Sequence, residues 1–431
     1  MSFLLRGPPK LIRSNRPIVR ITETLSKSSI NNATTTDPGK ERDGSTNAVV
    51  LDARDAKCLS DLTWLYKAAQ KHSGSAAFRK PGGRVVILRA SSLSSSSLNN
   101  PETVAVQEAI VGFAKSLAKE NGTRGATVNL LCDETGAKIS KDDACTGPLD
   151  WLLSCESAYV TGQEMRITKL AATAYDSAEC KGGILVTGAA GAIGKATAEY
   201  FANNDPTTEA SNLLLVDHPS TENKLDQIAS KLSDKSVDIL PLDLTQEGAS
   251  DTLAKEGTRL GGLKRIIHAA GITRDKTLIK MEYESSWLPV LQVNLQAAIN
   301  IDKVLLDTPG ALCPSNSSSF VYFSSTSGIN GNAGQSNYAA SKSGLLGYAV
   351  AMGHNHPQHN FRVVSPGFIA TDMTAKMPWL VRMIGSRLNA LGQAGTPEDI
   401  AAAVAFLSSR EASGLAPGMN LRVCGMFMGG R

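Results

Sequence analysis

Short apolar runs alternate along this chain with stretches whose apolar residues recur at helical spacing. AVVLDA (48–53), RVVILRA (84–90) and ATVNLL (126–131) are continuous runs of strand length. Between them, DLTWLYKAAQKH (61–72) and VAVQEAIVGFAKSLAKE (104–120) carry the period of a helix with one buried face. The alternation resumes with ILVTG (184–188), NLLLVD (212–217), DILPLDLT (238–245), RIIHAAGI (265–272), the helical LQVNLQAAIN (291–300) and FVYFS (320–324). Strands that are apolar throughout and alternate with helices predict a parallel sheet covered on both faces, the doubly wound α/β class. With 431 residues the chain suits two domains. The polar, glycine-marked AATAYDSAECKGG (171–183) is the expected joint. The reading is a basic, flexible segment over 1–46, a smaller α/β domain over 47–175, and a larger one over 182–431.

Composition narrows the function classes. A hydrophobic share of 42% and a charged share of 19% belong to a globular protein with a sizeable core. The net charge of +4 is small, and no basic stripe interleaved with aromatics points to nucleic acid. Arg6, Lys10, Arg13, Arg16, Arg20 and Lys27 face only Glu23, a bias shared by mitochondrial presequences and basic surface tails, but Pro8, Pro9 and Pro17 interrupt a long helix. No apolar run approaches the ~20 residues of a bilayer span. Seven scattered cysteines form no metal-ligand spacing and read as reduced thiols of an intracellular protein, cytoplasmic or of the mitochondrial matrix.

The candidate chemistry lies in two places. In VTGAAGAIGKA an apolar strand turns through Gly188, Gly191 and Gly194 into a helix, which lets backbone approach a pyrophosphate at the helix N-terminus. A second strand ends about twenty residues later in Asp217, placed to accept hydrogen bonds from an adenosine ribose and to repel a 2′-phosphate, so NAD(H) is favoured over NADP(H). In FVYFSSTSGINGNAGQSNYAASK (320–342) a strand delivers a loop with Ser325 onto a helix with Tyr338 and Lys342 four residues apart on one face. A neighbouring ammonium is expected to lower the tyrosine's pKa, and the serine can hold a carbonyl oxygen. Tyr-x-x-x-Lys alone is also a common helix-surface spacing.

The chain also repeats itself. Gly347 of SGLLGYAVAM set on Gly112 of EAIVGFAKSL gives an offset of 235 (347 − 112), which without a gap lays FVYFS on VVILR. Ser325, Tyr338 and Lys342 then fall on Ala90, Thr103 and Gln107. APGMNLRV (416–423) matches VTGQEMRI (160–167) at 256 (418 − 162), so the first copy lacks about 21 residues (256 − 235), those of SPGFIATDM and the stretch after it. The first domain reads as a relative of the second without reactive groups, suited to a structural role.

With TGAAGAIG, Asp243 in LDLT, HAAG, the asparagine of VNL, the serine, tyrosine and lysine, and SPGFIATDM, residues 182–431 resemble the short-chain dehydrogenase/reductase family. The likeness is greatest to 3-oxoacyl-[acyl-carrier-protein] reductases, and the length and the ending LRVCGMFMGG resemble their high-molecular-weight form, which adds an N-terminal flavodoxin-like domain. The resemblance implies reduction of a 3-oxoacyl thioester of CoA or acyl carrier protein, and a homodimer or homotetramer. It implies that Tyr338 exchanges the proton, Lys342 tunes it and holds the nicotinamide ribose, Ser325 binds the carbonyl, and Asn294 orders a proton-relaying water. Gly188, Gly191 and Gly194 would line the pyrophosphate, Asp217 meet the ribose and Asp243 the adenine, with Ile369 and Thr371 at the nicotinamide. Ile193, Leu244, Ala270, Gly271, Pro366 and Gly367 complete the implied cofactor lining. No metal is expected. The glycine spacing TGxxGxxG is that of the family's extended branch, so a nucleotide-sugar epimerase or dehydratase, or a non-catalytic dinucleotide-binding scaffold, stays open at this point.

Overall fold

The structure, a computed structural model, describes residues 20–25, 47–91, 99–135, 146–168, 182–203, 212–232, 236–313, 318–375 and 379–426. Most of the basic N-terminal segment and of the joint near 175–182 lies outside the described residues. Two parallel sheets are formed. The first has β1 (Arg20–Thr24), β2 (Ala48–Asp52), β3 (Arg84–Ala90), β4 (Thr127–Asp133) and β5 (Glu164–Ile167), side by side in chain order. β1 corrects the sequence reading: Arg20–Thr24, expected in a flexible tail, pairs in register with all of β2. An edge position explains why so polar a strand is tolerated, since only one of its edges is bonded and its flanks need not be apolar.

The second sheet has β6 (Gly183–Thr187), β7 (Leu213–Asp217), β8 (Val237–Pro241), β9 (Leu263–His268), β10 (Ser319–Phe323), β11 (Asn360–Pro366) and β12 (Asn420–Val423). Their order is β12-β11-β10-β9-β6-β7-β8. The chain leaves β6 in one direction to β7 and returns on its other side as β9. That reversal opens a crevice at the carboxyl ends of β6 and β9, where open α/β sheets bind ligands. The first sheet, running in chain order, has no such reversal among the described residues.

The repeat is visible in the elements. Shifted by 235, the helix Ser336–Asn355 begins on Pro101, the first residue of the helix Pro101–Gly122. Shifted by 256, β12 falls on β5 residue for residue. The helix Pro397–Leu407 shows how the copies join. PEDIAAAVAFL is apolar around most of its circumference and is buried along it, because the second sheet's helix Ala192–Asn203 lies on one side and the first domain on the other. There Trp151 stacks on Phe406 at 4.5 Å. A capping box of Thr396 and Asp399 starts that helix. Nearby, the chain around β5 and the chain on either side of β12, each strand at the edge of its sheet, run in opposite directions: Ile167 bridges Leu415, with Thr168 N–H to the Gly414 carbonyl, Ala416 N–H to Arg166 and Gly425 N–H to Tyr159. Cys58, Cys132, Cys155 and Cys424 are in no disulfide. Cys313 is disulfide-bonded, which departs from the reading of all seven cysteines as reduced thiols.

Candidate active site

β6 ends in the glycine turn. Gly188 has φ +67°, and a methyl group on it would sit 2.6 Å from the Ala270 nitrogen; one on Gly194 would sit 2.2 Å from the Gly188 carbonyl oxygen. Both positions therefore admit only hydrogen, and a cradle of bare backbone faces the helix Ala192–Asn203. Gly191 is less constrained: a methyl there would meet only the Gly188 oxygen, at 3.2 Å. Ile193 packs its side chain on the core. Ala270 anchors the strand opposite, its N–H donating to Thr187 Oγ1 at 3.3 Å. A bare-backbone cradle at a helix N-terminus fits a dinucleotide's pyrophosphate.

The acids expected at the adenosine end lie together there. Asp217 Oδ2 accepts from the Ala190 N–H of the glycine turn at 2.8 Å and its Oδ1 from the His218 N–H at 2.7 Å. It thus braces the turn as well as standing at the end of β7. Asp243 accepts from the Thr245 N–H and hydroxyl at 2.9 and 2.7 Å, bonds that lower its pKa, and its Oδ2 lies 3.8 Å from His218 Nε2. The Leu244 side chain packs against the core beside it.

The groups expected to handle the proton converge at the ends of β9 and β10. Ser325 follows β10 and caps a short helix, Thr326–Asn330, by accepting from the Ser327 N–H at 3.1 Å. Its side chain stands close enough to Tyr338 to pull that phenol's pKa down. Lys342 is buried, with its Nζ 5.7 Å from the Tyr338 ring centroid. A methyl on Gly271 would be 3.3 Å from that Nζ and 3.4 Å from Asn294 Oδ1, so the three share one small space. Asn294 lies in a π-helical turn, Gln292–Gln296, within the long helical span. It clamps Ile272 from both sides, accepting its N–H at 2.8 Å and donating to its carbonyl at 3.0 Å, and donates to Ser341 Oγ at 3.1 Å.

One electrostatic expectation is corrected. Burial pushes the Tyr338 pKa up, opposed by the nearby Ser325 hydroxyl and reinforced by Asp275. Burial pushes Lys342 down to about 8. Desolvation outweighs the expected help from the cation, whose Nζ stands over the ring.

The residues expected at the nicotinamide are neighbours because β11 pairs with β10, and the Ser324 N–H donates to the Val364 carbonyl. Pro366 ends β11. Gly367 packs so tightly that a methyl would lie 2.6 Å from Cys424 Cβ. Ile369 is buried and bridges Gly395, while Thr371 N–H donates to Thr374 Oγ1 at 2.9 Å.

Sequence reasoning missed three supports. Asn337 is fully buried and ties Arg274 and Ser286 carbonyls to the tyrosine helix. Ser341 joins Asn294 to the Tyr338 carbonyl. Beneath them Asp302 accepts from His268 at 2.8 Å and from Tyr322 at 2.6 Å. Asn337 and Ser341, polar residues directly beside Tyr338 and Lys342 in the sequence, were the available signal. Among the described residues no cluster could hold a metal ion, and no helix is long and apolar enough to cross a membrane.

Residues 183–379 match the short chain dehydrogenase family. The chain is 34% identical to the 3-oxoacyl-[acyl-carrier-protein] reductase FabG of Thermotoga maritima over 53% of its own length and 91% of the relative's. It is 32% identical to the acetoacetyl-CoA reductase of Allochromatium vinosum over 57% and 98%. A solved short-chain dehydrogenase/reductase of Brucella melitensis, titled a glucose/ribitol dehydrogenase, superposes with a TM-score of 0.51 at 27% identity, covering 57% of this chain and 96% of that one. The chain thus spans these relatives almost end to end with its second sheet and the glycine cradle at that sheet's reversal, and it belongs to the short-chain dehydrogenase/reductase family as an oxidoreductase of the FabG type.

Proposed function

We propose that this protein reduces a 3-oxoacyl thioester to the 3-hydroxyacyl thioester, using NADH in preference to NADPH. The observation that carries the reading is the buried Lys342, its Nζ 5.7 Å from the Tyr338 ring, with Ser325 beside them at the carboxyl end of the sheet that bears the glycine cradle. The names of the relatives in Thermotoga and Allochromatium point to the substrate class. The bound dinucleotide supplies the hydride. Tyr338 gives the proton to the substrate oxygen, Ser325 holds that oxygen, and Lys342 stabilises the phenolate that remains. Asn294, fixed by Ile272 and Ser341, holds the floor of the space that Lys342 occupies.

The NADH preference rests on Asp217 at the end of β7 and on Gly191, which offers no positive charge to a 2′-phosphate. CoA thioesters are favoured over carrier-bound ones. An acidic carrier would be steered by basic residues, and neither CPSNSSS (313–319) nor GHNHPQHN (353–360) contains arginine or lysine.

The test is an initial-rate matrix of NADH and NADPH against acetoacetyl-CoA and its carrier-protein counterpart, with Tyr338→Phe in parallel. NADH with acetoacetyl-CoA should be fastest and the variant inactive. Full activity in Tyr338→Phe would overturn the mechanism, and a strong preference for the carrier would overturn the substrate.

A further inference from the structure

The first domain reaches into the site through one residue. Tyr159, just before β5, is fully buried. Its hydroxyl donates to the Gln393 carbonyl at 2.9 Å and accepts from Asn389 Nδ2 at 3.3 Å. Asn389 Nδ2 also donates to the Gln393 carbonyl at 2.8 Å, closing a small ring of bonds. The phenol ring lies against Gly395: a methyl there would be 2.5 Å from Tyr159 Cε1 and 2.7 Å from Ile369 Cδ1. Gly395 in turn is bonded to the nicotinamide-side segment on both sides, its N–H donating to Phe368 and its carbonyl accepting from Ala370. Tyr159, Gly395 and residues 368–370 therefore form three consecutive layers. At the 256 offset the second copy has Leu415 in place of Tyr159, buried and without a hydroxyl, so the phenol is no common property of the repeat.

We infer that Tyr159 is a positioning residue supplied by the non-catalytic domain, holding the Phe368–Thr371 segment in the shape that receives the nicotinamide end of the cofactor. The inference rests on the reading that this segment meets the nicotinamide. It gives the first domain a part in cofactor affinity through a hydroxyl that touches no reacting atom.

The test is NADH titration of the full chain, followed by NADH fluorescence, with steady-state kinetics alongside. Tyr159→Phe removes the hydroxyl and keeps the ring. It should raise the NADH Kd about fivefold, the worth of one buried hydrogen bond. KM for NADH should rise in the same proportion while kcat holds. Asn389→Ala, which breaks the same ring of bonds from the catalytic side, should weaken NADH in the same direction, and the double variant should be less affected than the two effects multiplied. Gln163→Leu removes a different contact between the domains, to Arg422 Nε at 2.8 Å, and should leave the Kd unchanged. Native affinity in Tyr159→Phe, or equal weakening in Gln163→Leu, would overturn the inference. Should Tyr159→Phe not fold, Asn389→Ala decides, with native affinity again the contrary result. Wild-type protein that binds no NADH would sink the functional reading and this one together, whereas wild-type binding matched by the variants would sink this one alone.

Discussion

The two sheets hold the same positions in opposite states of satisfaction. In the second, Lys342 is buried beside Gly271, with no salt bridge among the described residues. In the first, its counterpart Gln107 is equally buried, yet its Nε2 donates to the Ala56 carbonyl at 2.7 Å and its Oε1 accepts from the Ala90 N–H at 3.1 Å. Counted from the strand pairings, Val49 opposite Val85 and Ile266 opposite Phe320, Arg54 stands where Gly271 does. Its guanidinium bonds to Asp52 at 3.0 Å and Asp133 at 2.7 Å. One copy has spent its polar groups on itself, and the other holds them ready for a ligand. The first copy thus differs from the second in the internal hydrogen bonds of the matching positions as well as in the side chains that stand there.

The sharpest way to break the comparison is to remove chemistry from the open copy. Tyr338→Phe should lower kcat by roughly 10²–10⁴ with an unchanged melting temperature, measured by stopped-flow NADH oxidation and calorimetry. Next comes placing the open copy's residue in the closed one. Gln107→Lys puts an uncompensated ammonium in a dry site and leaves the Ala90 N–H without its acceptor; urea unfolding should show a loss of about 3–5 kcal/mol and no new activity. A cost under about 1 kcal/mol would mean the two sites are not equivalent.

The reverse exchange predicts stability gained. Lys342 titrates near 8 in the fold against an ordinary 10.5, so between those values the folded protein holds fewer protons than the unfolded chain, and stability rises with pH. Below pH 8 the burial penalty is fully present. Lys342→Met should therefore be inactive yet more stable at pH 7, by up to about 3 kcal/mol, with the advantage gone by about pH 10.5. A less stable Lys342→Met at pH 7 would show that the ammonium supports the fold. The smallest effect concerns the equivalent helices. Pro101–Gly122 is capped by Asn100, whose Oδ1 accepts from the Glu102 and Thr103 N–H groups, while Ser336–Asn355 follows Gln335 with no side-chain cap. Asn100→Ala should cost about 1 kcal/mol in thermal unfolding and leave activity untouched.

What was legible in the sequence was what local pattern encodes. Apolar runs located β2–β4 and β6–β10, and the glycine spacing marked the turn where Gly188 and Gly194 admit no side chain. Comparing the chain with itself placed Gln107 opposite Lys342. β1 was missed because an edge strand needs no apolar run, and RITET offers none. The Tyr338 pKa was read in the wrong direction because spacing along a helix reports proximity but not desolvation. The Tyr159 contact, across 234 residues to Gln393, has no local signature at all.

The opposed course of β5 and β12 bears on how the protein can be handled. Each ends its sheet, and a bare sheet edge recruits strands from other molecules. Here the backbone groups of Arg166, Thr168, Gly414 and Ala416 are occupied by the other copy. Cutting the chain at the joint would uncover two sticky borders at once, so the catalytic half expressed alone should self-associate and scatter light at concentrations where the whole chain stays clear.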